Sequence, residues 1–238
     1  PLFTGIIGLF IKKIYKRDFW LDLRDLWPDS ALYLGQLKKG FIYSLGKKLE
    51  SVIYKSAKGF IFPVPGFRAY LNDFSNGTSA KPMIELMNGV SSDFIKKSKK
   101  INVKKKDFTV LYSGNMGLAQ DLQTVIEAAN LLKDYNIKFS FIGEGVSKTK
   151  IKDLAKPLSD KVFFSDALDR DNLIIAIKKA SICLVPLKNL KLFENALPSK
   201  MFEYMACGRP VIVGVKGEAK KYKAHSTNSP ILKAEMAE

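Results

Sequence analysis

The chain has 238 residues, 47% hydrophobic, 26% charged and 11% aromatic, a globular composition for one or two domains that excludes disorder, collagen and a disulfide-rich scaffold. Thirty-nine Lys+Arg against 23 Asp+Glu give a net charge of +16, which favours polyanionic partners (nucleic acid, anionic lipid or phosphorylated small molecules) without choosing among them. Two cysteines, Cys183 and Cys207, and a single histidine, His225, exclude a disulfide framework and a Cys- or His-rich metal site and argue against a Ser-His-Asp triad, and no apolar run is long enough to cross a bilayer.

The sequence opens on an apolar run, Leu2 to Ile11, followed by Lys12 and Lys13. A signal peptide carries its positive charges before the apolar stretch, and here they follow it. The run reads as a buried helix of a domain whose beginning is missing. The alternative is a helix lying on a membrane with its basic end at the headgroups. Phe19 to Leu23 reads as a short strand ending in Arg24-Asp25-Leu26-Trp27-Pro28-Asp29-Ser30. Phe41, Ile42, Leu45, Leu49, Val52 and Ile53 recur at helical spacing, with lysines at other positions, as on a surface helix with a solvated lysine face. A basic helix facing a membrane is again the alternative. Gly59 to Pro63 and Pro82 to Met87 read as strands, each closed by a turn signal, Pro65-Gly66 and Asn88-Gly89. Seven lysines between Lys96 and Lys106, with few apolar neighbours, read as a linker rather than a nucleic-acid contact, because no aromatics interleave them.

From Phe108 onward strands and helices alternate. Strands are expected at Phe108–Tyr112, Lys138–Ile142, Lys161–Phe164, Ile182–Val185 and Val211–Val213. Helices are expected around Leu122–Leu132, Ser147–Lys156 (stopped by Pro157), Asp171–Ala180 (capped by Asp171) and Pro198–Ala206. No strand periodicity is visible from Lys220 to Glu238. Alternation at this spacing implies βαβ units, hence an α/β fold with a parallel sheet whose ligands sit at the carboxyl ends of the strands. Those ends carry Gly114-Asn115-Met116-Gly117, Gly143-Glu144-Gly145 and the turn before Pro198. A glycine turn lets backbone approach a phosphate. Ser199 and Lys200 fall in the first turn of a helix, where free N–H groups favour an anion. Glu203, three residues on, suits the hydroxyls of a ribose or sugar. Each signal is weak alone; their shared edge makes them informative.

Two stretches, Leu197-Pro198-Ser199-Lys200-Met201-Phe202-Glu203-Tyr204-Met205-Ala206-Cys207-Gly208-Arg209-Pro210-Val211-Ile212 and Val110-Leu111-Tyr112-Ser113-Gly114-Asn115-Met116-Gly117, resemble the donor-binding half of GT-B glycosyltransferases, retaining family 4, bacterial group 1 type. Arg24 to Asp29 resembles an acceptor-side motif of members that build cell-surface polysaccharides, and Asn88-Gly89-Val90 the inter-domain crossing. The resemblance implies a Rossmann-like C-terminal domain over 107–238, an incomplete Rossmann-like acceptor-side domain over 1–96, and a basic linker over 97–106. It implies that Gly114, Asn115, Gly117, Ser199 and Lys200 hold the donor diphosphate. Glu144, Gly145, Ser165, Asp166 and Glu203 would hold the nucleoside, with Ala167 beside the base. Lys200 and Glu203 would serve catalysis in the donor half and Asp25 on the acceptor side, where a structural pair between Arg24 and Asp25 is an equal reading.

The family often carries a second glutamate eight positions before the one matched here by Glu203. Asn195 stands there and Glu194 is one position off, a departure from the family pattern at the positions where the resemblance implies a donor-sugar contact. Relatives with His-Asp in place of Arg24-Asp25 have a histidine that this chain lacks. The resemblance further implies a UDP- or GDP-sugar donor, a lipid-linked or saccharide acceptor, no metal, no nucleic acid, and a peripheral place at the cytoplasmic face of the plasma membrane. The ends depart from the family pattern, and a fragment truncated at the front with a shortened or frame-shifted tail is expected. Alternatives from other classes are a basic nucleic-acid-binding module, a related sugar-nucleotide epimerase, and a catalytically dead fragment that still binds nucleotide.

Overall fold

The computed structural model describes residues 2–74, 78, 80–104, 107–214 and 231–233. His225, Gly217-Glu218, the lysines at 105 and 106, and all of the basic tail except 231–233 lie outside the described residues. The chain divides into two compact units, Pro1–Asn88 with Leu190–Leu197, and Gly89–Asn189 with Pro198–Glu238.

In the first unit the order is α1 (Leu2–Tyr15), β1 (Trp20–Asp22), α2 (Asp29–Tyr33), α3 (Phe41–Ser56), β2 (Gly59–Phe62), α4 (Gly66–Asp73) and β3 (Met83–Glu85). The strands form a parallel sheet in the order β1-β2-β3. Leu21, Phe60 and Phe62 of that sheet are buried together with Ile53, Tyr54 and Leu71 of the helices. Helix α1 packs on α3 because Gly5 presents no side chain; a Cβ there would stand 2.6 Å from Ile53 Cγ2. The expectation that α1 is a buried helix is corrected. Only Leu2, Gly5 and Gly8 are buried, while Phe3, Ile7, Phe10 and Ile14 are exposed.

The inward stripe of α3 also differs from the apolar periodicity. Gly46, Glu50, Ile53 and Tyr54 face in, whereas Phe41, Ile42, Leu45 and Val52 are exposed. Glu50 is fully buried because polar partners meet it there. The Tyr70 hydroxyl lies 2.9 Å from Glu50 Oε1 and 2.9 Å from Asp29 Oδ2, and accepts from Lys47 Nζ at 2.9 Å. A hydroxyl donates one proton, which the two carboxyl contacts must share unless the Glu50 carboxyl brings its own. Burial pushes the Glu50 carboxyl above its usual range, and Lys47 opposes that shift without cancelling it.

The second unit comprises α5 (Ser92–Lys100), β4 (Phe108–Ser113), α6 (Leu122–Leu131), β5 (Ile137–Ile142), α7 (Lys148–Ala155), β6 (Val162–Ser165), α8 (Arg170–Lys179), β7 (Ile182–Pro186), α9 (Ser199–Ala206), β8 (Val211–Gly214) and β9 (Ile231–Lys233). All strand pairs are parallel, in the order β6-β5-β4-β7-β8-β9. The chain moves outward in one direction from β4 and then restarts at β7 in the other, so the topology reverses between β4 and β7. Val110, Tyr112, Phe139 and Phe141 from the strands pack on Leu122, Val125, Ile126 and Ile151 from α6 and α7.

Three local expectations are corrected here. The proposed linker over 97–106 begins as helix. α5 reaches Lys100, capped by Ser91 and anchored by buried Phe94 and Ser98, so its lysines form one solvated face of an amphipathic element. The cap of α8 is Asp169, whose carboxylate accepts from Asn172 N at 2.9 Å; Asp171 lies inside the helix and pairs with Lys97 at 2.7 Å. The tail contributes β9, a three-residue edge strand held by its pairing with β8 and too short to show a period.

Glu50→Gln is expected to retain the fold, since an amide keeps a donor toward Tyr70. With a native pKa above the unfolded value, the Glu50 contribution is full below about pH 4.5 and declines as pH rises through the native value. The melting temperature of the wild type should therefore fall relative to Glu50→Gln as pH is raised from 4 to 8. Parallel curves would show that Glu50 does not titrate in this way.

Candidate nucleotide-phosphate site

Strands β4, β5 and β6 end side by side, and their loops are joined by backbone hydrogen bonds. Gly114 N donates to Ile142 O (2.9 Å), Met116 N to Glu144 O (2.6 Å), Gly143 N to Ser165 O (3.1 Å) and Ser147 N to Met116 O (2.9 Å). Gly114 adopts φ +122°, which only glycine tolerates readily. A Cβ on Gly143 would collide with the carbonyl of Gly114, so the two turns approach as closely as backbone allows. The Tyr112 hydroxyl, donating to Asn115 O at 2.5 Å, pins the next residue of the turn.

The N-terminus of α9 meets this turn. The Lys200 ammonium lies 4.0 Å from the Tyr112 ring centroid and 3.1 Å from the position a Cβ on Gly114 would take. Burial lowers its pKa to about 8, against an opposing pull from Glu203. A cation that burial disfavours gains from an incoming anion. Tyr204, one turn further along α9 and fully buried, fixes this placement. Its hydroxyl accepts from Ser113 N at 2.8 Å and contacts Ser113 Oγ at 2.9 Å. Ser199 is exposed at the first position of the same helix.

Beside the turn is a pocket of about 450 Å³, lined by Gly114, Asn115, Glu144, Gly145, Ala167 and Leu168 among others. A second cavity of about 440 Å³ between α6 and the sheet is lined mainly by Val125, Leu132, Phe139, Leu184 and Ile212, and lacks any cluster of charged side chains. The chemistry therefore points to the first. Glu144, which lines it, and Asp166, next in sequence to the lining residue Ala167, are both held by Lys148 at 2.6 Å. Lys148, and to a lesser degree Glu144, holds the Asp166 carboxyl below its ordinary value. The Lys148 ammonium is raised in turn, first by Asp166 and then by Glu144.

The structure thus brings Gly114, Asn115, Glu144, Gly145, Asp166 and Lys200 to one edge of the second unit. The N–H of Gly117 is taken by Gln120 Oε1 at 3.0 Å. The Ser165 carbonyl serves the Gly143 turn. Glu203 is paired with Arg170 at 2.8 Å. Asp25, Glu194 and Asn195 belong to the first unit. Asp25 is exposed on the loop after β1. Arg24 pairs with Asp22 at 2.7 Å and reaches Asn88 Oδ1 at 2.5 Å, so the structural pair of this loop is Arg24–Asp22, not Arg24–Asp25. Glu194 and Asn195 lie in a 3-10 turn, Lys191–Asn195. Among the described residues no group of three or more His, Cys, Asp or Glu is placed to hold a metal ion.

Sequence reading missed Lys148, Arg170, Tyr204 and Tyr112. Lys148 opens α7 and stands only four residues after Glu144, a short charge spacing visible in the sequence. Tyr204 follows Glu203 directly, but its partner at Ser113 is 91 residues away.

An open parallel sheet with a lysine and glycine turns at its topological switch point defines an α/β unit of the kind that binds phosphorylated ligands. Residues 93–235 match the family model for glycosyl transferases group 1, and the chain belongs to that family. It is 31% identical over 106 residues to the putative colanic acid biosynthesis glycosyl transferase WcaI of Escherichia coli (strain K12), covering 44% of this chain and 26% of that protein. It is 24% identical over 208 residues to the probable glycosyltransferase WbjE of Pseudomonas aeruginosa, covering 81% and 50%. The chain therefore spans half or less of these relatives' lengths. Among solved structures, the sucrose-phosphate synthase of Thermosynechococcus elongatus superposes with TM-score 0.70 at 19% identity, over 90% of this chain and 55% of that one. Anabaena HepE in complex with UDP and glucose gives 0.65 at 14%, over 98% and 62%. These likenesses establish the GT-B type of fold.

Tyr204→Phe removes the acceptor of a buried N–H, and should cost about 1–3 kcal/mol of stability, measured by denaturant unfolding. A loss under about 0.5 kcal/mol would mean that water replaces the hydroxyl.

Proposed function

We propose that the chain is part of a retaining hexosyltransferase of family 4 that moves a sugar from a nucleoside-diphosphate sugar to a lipid-linked or saccharide acceptor in surface polysaccharide synthesis. In this reading the second unit holds the donor and the first the acceptor. The observation that carries the reading is Lys200, brought against the Gly114 turn beside a pocket of nucleoside size. Its ammonium and the backbone of the Gly114–Gly117 turn would receive the diphosphate. As the sugar–phosphate bond breaks, negative charge grows on the departing diphosphate, and a preset cation in a partly buried site stabilises it without a metal ion. Ser199 at the N-terminus of α9 would add a hydroxyl, and the N–H groups of that first turn their dipole. Glu203 would accept the ribose hydroxyls, and Glu144, Gly145, Ser165 and Asp166 would line the base. Asp25, exposed on the acceptor side, would orient the attacking hydroxyl. HepE, crystallised with UDP and glucose, makes UDP the first probe and GDP the second.

The pKa of about 8 sets a pH dependence. A bound diphosphate raises the affinity of Lys200 for its proton. UDP affinity should be level between about pH 7 and pH 8, above the second ionisation of the terminal phosphate, and fall as pH rises further, with proton uptake on binding at pH 8–9 in calorimetry. Lys200→Met should weaken UDP about 10- to 100-fold at pH 7 and abolish the proton uptake. Unchanged binding in Lys200→Met would sink the diphosphate assignment.

We further propose that the protein associates peripherally with the cytoplasmic face of the plasma membrane. No helix among the described residues is long and apolar enough to cross a bilayer. The support is the exposed apolar side of α1, Phe3, Ile7, Phe10 and Ile14, beside Lys12 and Lys13. The wild type should float with vesicles containing phosphatidylglycerol, and Ile7→Glu with Phe10→Glu should stay behind. Equal flotation of both would reject α1 as the contact.

A further inference from the structure

Glu203 is the carboxylate assigned above to the ribose, and the present argument rests on that reading. Its side chain is 19% exposed, and Oε1 lies 2.8 Å from Arg170 Nη1. Arg170 opens α8, and its guanidinium lies over the Phe94 ring, 4.9 Å from the centroid. One guanidinium thus joins α5, α8 and α9. The same three helices are fastened around it. Lys97 pairs with Asp171 at 2.7 Å, Lys178 Nζ donates to Ser98 O at 2.8 Å, and Ser98 Oγ donates to Ala206 O at 3.2 Å.

An exposed ion pair is ordinarily worth little, because two long side chains must be ordered to make it. Here the carboxylate is mostly buried and the guanidinium, itself about half exposed, lies over an aromatic face, so less freedom remains to be lost. A carboxylate has two oxygens and about four acceptor sites. Arg170 engages Oε1 and leaves acceptor capacity on Oε2 for hydroxyl donors. We propose that Arg170 is a positioning residue of the nucleotide site. It fixes the Glu203 carboxylate toward the ribose hydroxyls of a nucleoside diphosphate, and it acts through Glu203, not on the phosphates.

Calorimetric titration with UDP and with inorganic pyrophosphate tests this in the wild type, Arg170→Met, Glu203→Gln and the double variant, with GDP as the second nucleotide. Methionine keeps a long side chain on Phe94 without the charge. Arg170→Met is expected to weaken UDP about five- to tenfold, to leave pyrophosphate unchanged, and to add no further loss in the Glu203→Gln background. Arg170→Lys should recover part of the UDP affinity. Should Arg170→Met fail to fold by thermal melting, Arg170→Lys, which keeps the charge but not the planar fork, takes its place in every comparison, with a smaller loss of about two- to threefold expected for UDP. An equal loss for pyrophosphate would show a direct phosphate contact. Tighter UDP binding would show that the ion pair competes with the ribose. Additive losses would show that Arg170 acts independently of Glu203. Each of these overturns the proposal. If the wild type binds the nucleotide and Arg170→Met matches it, this proposal alone falls. If the wild type binds neither UDP nor GDP, the nucleotide reading falls and takes this one with it.

Discussion

The second unit is organised around the placement of one lysine ammonium. Lys200 rests on the Tyr112 ring and above a glycine that no other residue replaces without strain. Three independent constraints converge there. Gly114 takes φ +122° and leaves the space. The collision that a side chain on Gly143 would cause fixes how closely the β5 turn approaches the β4 turn. Tyr204, bonded to Ser113, fixes the rotation of α9, so that the residue one turn earlier meets the glycine. The lowered pKa of Lys200 follows from that burial. It is also what makes the position receptive to an anion, since the ion has given up part of its hydration before the ligand arrives.

Around that point the acidic residues are held by cations from other elements. Lys148 holds Glu144 and Asp166, and Arg170 holds Glu203. A chain with +16 net charge thus uses two of its cations to order carboxylates at one edge of the sheet, and the excess alone identifies no partner. The first unit follows a comparable rule with opposite burial. Glu50 is taken inside, bonded by Tyr70 and ion-paired with Lys47, while apolar residues of α1 and α3 remain exposed. Charge pattern and apolar pattern therefore gave different answers in the two units, and packing decided between them.

Much of the architecture was legible in the sequence. The strands from Phe108 to Val213 and the helices between them carry strong local patterns, because each strand is a short β-rich apolar run bounded by turns. The glycines at 114, 143 and 145 and the Ser199-Lys200 pair were legible as a shared edge, because parallel strands bring their carboxyl ends together whatever the intervening helices contain. The errors fell where local composition and tertiary context disagreed. Lysines at 96–100 suggested a linker, yet Phe94 and Ser98 on the other face were enough to anchor a helix.

The sequence by itself determined the α/β class, the parallel sheet and the edge at which the glycine turns gather, because these follow from periodicity and from the chirality of βαβ units. Only the tertiary structure decided which side chains face one another at that edge. The Tyr204–Ser113 and Lys148–Asp166 contacts join residues 91 and 18 positions apart, and Arg170 meets both Phe94 and Glu203. Such contacts depend on how helices are rotated and seated on the sheet. That rotation is set by the sum of packing over the whole core rather than by any local run of residues.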